Sequence, residues 1–331
     1  MKKVSKVLLT GAGAAVAGAA AVTAAAYAST KQLVKIAMDR QQPRLMDQEK
    51  TREQIRGYLN CDEFLDDMMA GAERLETTPH HTVQIESYDG QTLVGHWFEC
   101  EKPKRVIVAM HGWRSSWSSD FGTIAPFWHQ NGCNVLYAEQ RGQGSSGGEY
   151  IGFGMMERYD CLQWVKWVNS HWGKELPLYL AGVSMGATTV LMASDLNLPS
   201  NVKGIMADCG FTSAHDIWKH VAENNLHLSY SIHGNVADQL CREKIQMGTK
   251  DCSTVEALKN SKVPVLFAHG TNDHFVPVAM TYENYQACTA PKSLLIVPGA
   301  DHGMSHYMEK DRYEQTMLDF WERFDGNEEG I

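Results

Sequence analysis

Polar and apolar positions along the chain fall into recurring patterns whose order predicts an α/β fold. His81 to Tyr88 and Gln91 to Glu99 alternate in polarity on either side of Asp89-Gly90, the signature of two strands joined by a tight hairpin turn. Longer apolar runs follow at Arg105 to Met110, Leu176 to Ala181, Val202 to Ala207, Val263 to Gly270 and Ser293 to Val297. Unbroken runs of this length belong to parallel strands buried on both faces. Between them lie segments with helical spacing: Phe121 to Asn131, Met155 to Trp172, Ala187 to Leu196, Pro277 to Cys288 and Tyr307 to Phe324. In the second of these, Met155, Tyr159, Leu162 and Val165 form one apolar face, which reads as core packing. The pattern predicts a mostly parallel central sheet, opened by the hairpin and flanked by helices.

Two stretches break this alternation. About fifty residues separate the run ending near Cys209 from the one starting near Val263, whereas a bare crossover needs only about a dozen. The surplus, residues 211–262, reads as a helical cap inserted after the sixth strand. Ile217, Trp218, Val221, Leu226, Leu228 and Tyr230 either line an acyl or aromatic pocket there or pack the cap onto the core. At the other end of the chain, Val7 to Ala28 is uncharged and follows Lys2, Lys3 and Lys6. Its length suits a membrane anchor. Its weak hydrophobicity and its close, Ala26-Tyr27-Ala28 before Ser29, suit a cleaved export signal. Lys31, Lys35 and Arg40 follow, so charge barely orients the segment. The expectation is an exported protein, anchored in the cell membrane or secreted, with anchoring on the cytoplasmic face as the alternative. The chain then divides into a signal or anchor segment (1–40), a charged helical spacer (41–78, with Ile55, Leu59 and Leu65 as candidate contacts) and the α/β domain (79–331).

Composition narrows the chemistry. The 331 residues are 44% hydrophobic and carry 30 Lys and Arg against 39 Asp and Glu, a net charge of −9. With no basic cluster beyond the first residues, a nucleic-acid partner is not expected. There is no glycine-rich phosphate loop, no His-Glu-x-x-His and no zinc-type spacing, so neither metal nor organic cofactor is expected. The eight cysteines are dispersed and read as buried free thiols. Cys241 and Cys252 flank a short segment of the cap and would pair only in an oxidising compartment.

The informative motif is Gly182-Val183-Ser184-Met185-Gly186, a glycine-flanked serine between an apolar run and a helical segment. In that context the serine sits on a turn too sharp for side chains at its flanks. A hydroxyl needs a base to become nucleophilic, and the base needs a carboxylate to hold its tautomer. Two downstream runs end in suitable residues, Asp273 and then His302. Their order and strand-end positions select the triad Ser184, Asp273, His302. Asp208 is the second-ranked acid. Glu139 and Asp301 rank below it, and His274 and His306 are the nearby alternatives to His302. For the oxyanion site, the backbone N–H of Met185 and that of Trp113, in the loop His111-Gly112-Trp113, are the candidate donors. The indole of Trp113 is a candidate pocket wall, and His111 reads as a packing and hydrogen-bonding residue.

These residues, together with Gly270, Val276, Pro277, Gly299 and the segment Arg141 to Gly148, resemble the α/β-hydrolase superfamily, and within it the serine-aminopeptidase-like bacterial hydrolases and esterases. The resemblance runs from about residue 81 to the end. It implies a serine hydrolase without cofactor, acting on a small-molecule ester, amide or lipid-like substrate, with an ester first and peptidase, amidase or acyltransferase activity as alternatives. A rival of another class is a non-catalytic binding protein on the same fold. The chain departs from the family pattern at Glu139, where an Asp is usual, and at Gln143, where a His is common. Both departures bear on local hydrogen bonding.

Overall fold

The computed structural model describes residues 24–41 and 64–326. The seven expected runs, with Cys133–Ala138 as an eighth, become the strands β1 His81–Glu86, β2 Thr92–Phe98, β3 Arg105–Met110, β4 Cys133–Ala138, β5 Leu178–Val183, β6 Val202–Asp208, β7 Val265–Gly270 and β8 Lys292–Val297. They form one sheet in the order β1-β2-β4-β3-β5-β6-β7-β8. The pairs β1–β2 and β2–β4 are antiparallel and the other five are parallel. The chain leaves β3 towards β4 on one side and returns as β5 on the other. Strand order therefore reverses between β3 and β5, and a crevice opens at their carboxyl ends.

Alternation along β3 builds the two layers. Ile107 and Ala109 join Phe121, Trp128, Tyr179 and Trp321 on one face. Val106, Val108 and Met110 join Trp164, Val168, Val190 and Leu191 on the other. The helix Met185–Ala193, leading from β5, is buried at every residue.

Three expectations need correction. The buried face of helix Glu157–Trp172 is not the Met155, Tyr159, Leu162, Val165 stripe. It runs through Glu157, Asp160, Cys161, Trp164, Val165 and Val168, while Tyr159 and Leu162 are only half-buried. An apolar pattern cannot register two buried acids. Asp160 lies inside because Arg141 donates to both its oxygens, each at 2.6 Å, and Glu157 because it accepts the N–H groups of Gly152 and Gly154. The cap is also shorter than expected. Ala214–His220, a π-helical turn Val221–Asn225 and Tyr230–Ile245 form it. The last helix of the insert, Thr254–Asn260, packs instead against the helices Met185–Ala193 and Val278–Ala287 as an ordinary crossover, with Leu258 in the core.

The third concerns the amino-terminal region. Residues 24–38 are helical and form part of the folded domain, with Thr30, Val34 and Met38 buried at successive i, i+4 positions. Val34 and Met38 join a third apolar cluster with Ile151, Phe153, Met185, Phe211 and Ile217. Most of the segment read as signal or anchor, and Ile55 and Leu59 of the spacer, lie outside the described residues. The helix Leu65–Thr77, whose Leu65 and Leu75 meet the core, packs on the short helix Trp117–Phe121. Among the described residues no helix is long and apolar enough to cross a membrane.

Candidate active site

The turn between β5 and the helix Met185–Ala193 has one geometry open to it. A Cβ on Gly182 would lie 2.3 Å from the backbone of Gly186, and one on Gly186 would lie 1.8 Å from Met110 O. Ser184 between them takes φ 55° and ψ −118°, a region that residues with a Cβ rarely enter. Its N–H donates to Asp208 O at 2.9 Å, fastening the turn to the end of β6.

Three strand ends then converge. His302, in the loop after β8, accepts from Ser184 Oγ at Nε2 (2.9 Å) and donates from Nδ1 to Asp273 Oδ2 (2.7 Å). Asp273 follows β7, and its side chain is fully buried. The carboxylate accepts four hydrogen bonds: from His302 Nδ1 and His269 Nε2 at Oδ2, and from the backbone N–H groups of Phe275 and Val276 at Oδ1. Burial alone would raise this carboxyl. The facing His302 charge and the bonds from His269 and His302 overcome it and hold Asp273 well below the usual carboxylate range.

Burial likewise opposes a charged His302, but Cys209 and Asp273 together raise it well above the ordinary imidazole value. The Cys209 thiol is itself pushed up to about 11 by burial, so it is neutral at pH 7 and Asp273 is the charge that acts there. Cys209, Asp273 and His302 bring three metal-type donors within 4.8 Å of one another. Yet Nδ1 and Oδ2 lie 2.7 Å apart, the length of an N–H···O hydrogen bond. Two ligands on a tetrahedral zinc, each about 2 Å from it, would stand about 3.3 Å apart. The His302–Asp273 contact is therefore spaced as a hydrogen bond and not as two ligands of one metal.

The alternative acids and His306 have other partners, and His274 is held through its backbone with its side chain exposed. Asp208 accepts from Ser305 Oγ, Asp301 accepts the backbone N–H of His302 itself, and His306 pairs with Glu314. The backbone carbonyl of His274 accepts from Asn225 of the cap, and its N–H points to Asp301. Glu139 bonds His96 and the N–H of Ser145.

The loop after β3 lies against the nucleophile turn, where a Cβ on Gly112 would be 3.4 Å from Ser184 Cβ. His111 is completely buried; its Nδ1 donates to Gly112 O and its Nε2 accepts from Gln140 N, so it is a neutral brace. Gly112 N–H goes to Asp120 (2.6 Å) and Arg114 N–H to Gln143. Gln143 therefore shapes this loop directly. As the first residue of its helix, Met185 has an N–H without an intrahelical partner.

The Trp113 indole packs near Phe153 and donates from Nε1 to Ala37 O of the amino-terminal helix. Of the cap residues, Ile217 and Tyr230 are buried, Trp218 and Val221 pack on the third cluster, and Leu226 faces solvent. Sequence reasoning missed His269, which sat unremarked inside the β7 pattern four residues before Asp273. It also missed the amino-terminal helix, whose polar half resembles any solvated segment.

Comparison with known proteins agrees with this architecture. The profile described as the prolyl oligopeptidase family matches residues 119–327. The uncharacterized protein YqkD of Bacillus subtilis is 25% identical over 198 residues, covering 60% of this chain and 65% of that protein, just under two thirds of its length. The uncharacterized protein YfhR of Escherichia coli is 23% identical over 252 residues, 72% and 79% of the two chains. Among solved structures, an esterase of Pyrococcus furiosus superposes with TM-score 0.60 at 19% identity, covering 75% of this chain and 92% of that one. An acylaminoacyl peptidase of Pyrococcus horikoshii superposes with TM-score 0.57 at 18% identity, covering 78% and 44%.

Proposed function

The chain belongs to the prolyl oligopeptidase family of α/β-hydrolases, and from that premise we propose that it is a serine hydrolase cleaving carboxylic esters through an acyl-Ser184 intermediate. The observation that carries this reading is the unbroken path Ser184 Oγ, His302, Asp273, with bonds of 2.9 and 2.7 Å, on a serine held in a strained conformation. Ser184 Oγ attacks the ester carbonyl as its proton passes to His302 Nε2. The N–H groups of Trp113 and Met185 receive the charge on the carbonyl oxygen, each such donor being worth about 10²–10³ in rate. His302 returns the proton to the leaving alkoxide. It then takes one from water as the hydroxide attacks the acyl carbon, and passes that proton to Ser184 Oγ as the acid leaves.

An ester is preferred to an amino-terminal peptide for two reasons. Cleaving the latter requires an acid free to hold the substrate amine, and Glu139 and Asp208 are already engaged. The likeness to the esterase covers 92% of that chain, whereas that to the peptidase covers 44% of its chain. The peptidase family membership keeps amide hydrolysis as the second reading.

We propose that the amino-terminal segment serves export or anchoring and is retained. The Ala28-Ser29 junction lies within the helix 24–38, and the hydroxyls of Ser29 and Thr30 bond Ala26 O. Processing favours exposed, irregular chain. The mass of the mature amino terminus tests this.

The catalytic test is a fluorophosphonate probe with wild type and Ser184→Ala. Labelling of wild type alone, with p-nitrophenyl esters turned over faster than aminoacyl-anilides, supports the proposal. A folded wild type that neither labels nor hydrolyses favours the binding-protein alternative. Anilides turned over faster than esters favour the peptidase, and acyl transfer to an added alcohol in preference to water favours the acyltransferase.

A further inference from the structure

The end of a helix leaves backbone carbonyls without intrahelical partners, and they are met by outside donors. In the amino-terminal helix those donors come from two consecutive residues of the loop after β3. Trp113 Nε1 donates to Ala37 O at 2.8 Å. Arg114 donates from Nη2 to Ile36 O and to Asp39 O, both at 2.6 Å, and from Nε to Ile36 O at 3.1 Å. Arg114 has φ 52°, a left-handed conformation that its Cβ disfavours and that these bonds hold in place. Its own N–H goes to Gln143, and Gly112 N–H goes to Asp120. The Trp113 peptide is therefore clamped on both flanks, and on one flank the clamp is the helix end.

The helix is itself fixed to everything around the site. Met38 and Val34 sit in the cluster that holds Met185, the other oxyanion donor. Met38 O accepts from Ile151 N at 2.7 Å, and Asp39 pairs with Lys244 of the cap at 2.6 Å. Arg40 bonds the carbonyls of Gly144, Ser146 and Gly148, in the loop that supplies Gln143. Thr30 Oγ1 meets His233 Nδ1 of the cap at 2.7 Å.

We propose that residues 24–40 are a built-in positioning element of the active site: the carbonyls of Ile36, Ala37 and Asp39, acting through the Trp113 indole and the Arg114 guanidinium, set the Trp113 backbone N–H where an oxyanion forms. Trp113 and Arg114 are thus positioning residues through their side chains. The segment that reads in sequence as a disposable leader is part of the catalytic apparatus. Cleavage after Ala28 would preserve every bond to the loop, whereas loss of the chain through Arg40 would remove them all. The proposal rests on the serine-hydrolase reading.

Trp113→Phe and Arg114→Ala, in the full chain, keep the backbone donor and remove the clamp. Steady-state hydrolysis of a short p-nitrophenyl ester and inhibition by a trifluoromethyl ketone, which forms a tetrahedral oxyanion on the serine, report on it. Small misplacements of a reacting geometry cost one to two orders of magnitude. The expected result is a fall of about 10-fold in kcat and in ketone affinity alike, with KM within about twofold. Arg114→Lys, which reaches fewer carbonyls with its single ammonium, falls between. Asp325→Asn, which breaks the Arg105 pair at the far end of β3, serves as the stability control and leaves both kinetic readouts unchanged. Wild-type kcat and ketone affinity in Trp113→Phe and Arg114→Ala would overturn the proposal, as would a rise in KM alone, which marks a pocket wall. A wild-type protein that neither hydrolyses ester nor binds the ketone refutes instead the hydrolase reading beneath it.

Discussion

Asp273 holds two imidazoles with one oxygen, and the two differ in what they can do. His269 is sealed in the core: its Nε2 faces the acceptors Asp273 Oδ2 and Val276 O, and its Nδ1 accepts from Thr281 Oγ1. It is a strut that keeps the carboxylate turned towards His302. His302 alone reaches the serine and changes protonation. Only neutral His302 can take the serine proton, so kcat/KM should fall as pH drops through its pKa. Asp273 raises that pKa, placing the midpoint above the usual imidazole value of about 6.5. Asp273→Asn should lower kcat by about 10³–10⁴ through loss of the tautomer, as in other triads, and move the residual activity's midpoint to lower pH. A pH–rate profile of both proteins checks the sign. An unchanged midpoint would show that another group supplies the charge. The Ser-Asp-His order and the strand-end positions made these three residues legible in sequence. His269 was not, because nothing local separates a histidine that braces a carboxylate from one that packs a strand.

Elements impose their own demands on single residues. The glycines of the Gly182 to Gly186 turn are required by the contact between the helix Met185–Ala193 and the end of β3. A methyl on Gly186 would overlap Met110 O at 1.8 Å and crowd His111 O at 2.7 Å, and both are backbone atoms that cannot step aside. Gly186→Ala should therefore yield no natively folded protein, read by circular dichroism and by recovery in soluble form. A folded, labelled variant would mean that strand and helix can separate.

Arg141 makes a comparable demand across elements. It lies 2% exposed between Asp160 of one helix and Asp89 of the hairpin turn. Burial pushes Asp160 up to about 7 even though Arg141 pulls it down. Arg141→Met would strand that acid, and breaking such a pair costs about 3–5 kcal/mol. Urea unfolding should register a loss of that order, with most of it traced to Asp160, since the Asp89 side chain is 30% exposed. The strands were readable because runs and alternation are local. The buried face of helix Glu157–Trp172 was misread because Arg141 reaches it from nineteen positions away.

At the scale of the whole molecule, the site is a meeting of parts far apart in sequence: strand ends from the sheet, a cap after β6 and a helix from the amino terminus. Met38 is wholly buried at that junction. Met38→Ala should cost about 2–5 kcal/mol, as large-to-small changes in cores do. Hydrogen exchange should show residues 24–38 opening ahead of the sheet. Uniform exchange across the chain would mean that the helix is no separate unit and unfolds only with the core.

The amino-acid sequence by itself determined the strands, the glycine turn and the three residues at strand ends, because each depends on spacing within a short window: period two or unbroken burial for strands, φ and close approach for the turn, chain order for the triad. The tertiary structure decided which acids lie inside, which carboxylate faces His302, and that the helix 24–38 belongs to the fold. Those outcomes depend on contacts between residues tens to hundreds of positions apart. The free energy of burying a polar group or an apolar face is set by the partner that meets it, and no local pattern contains that partner.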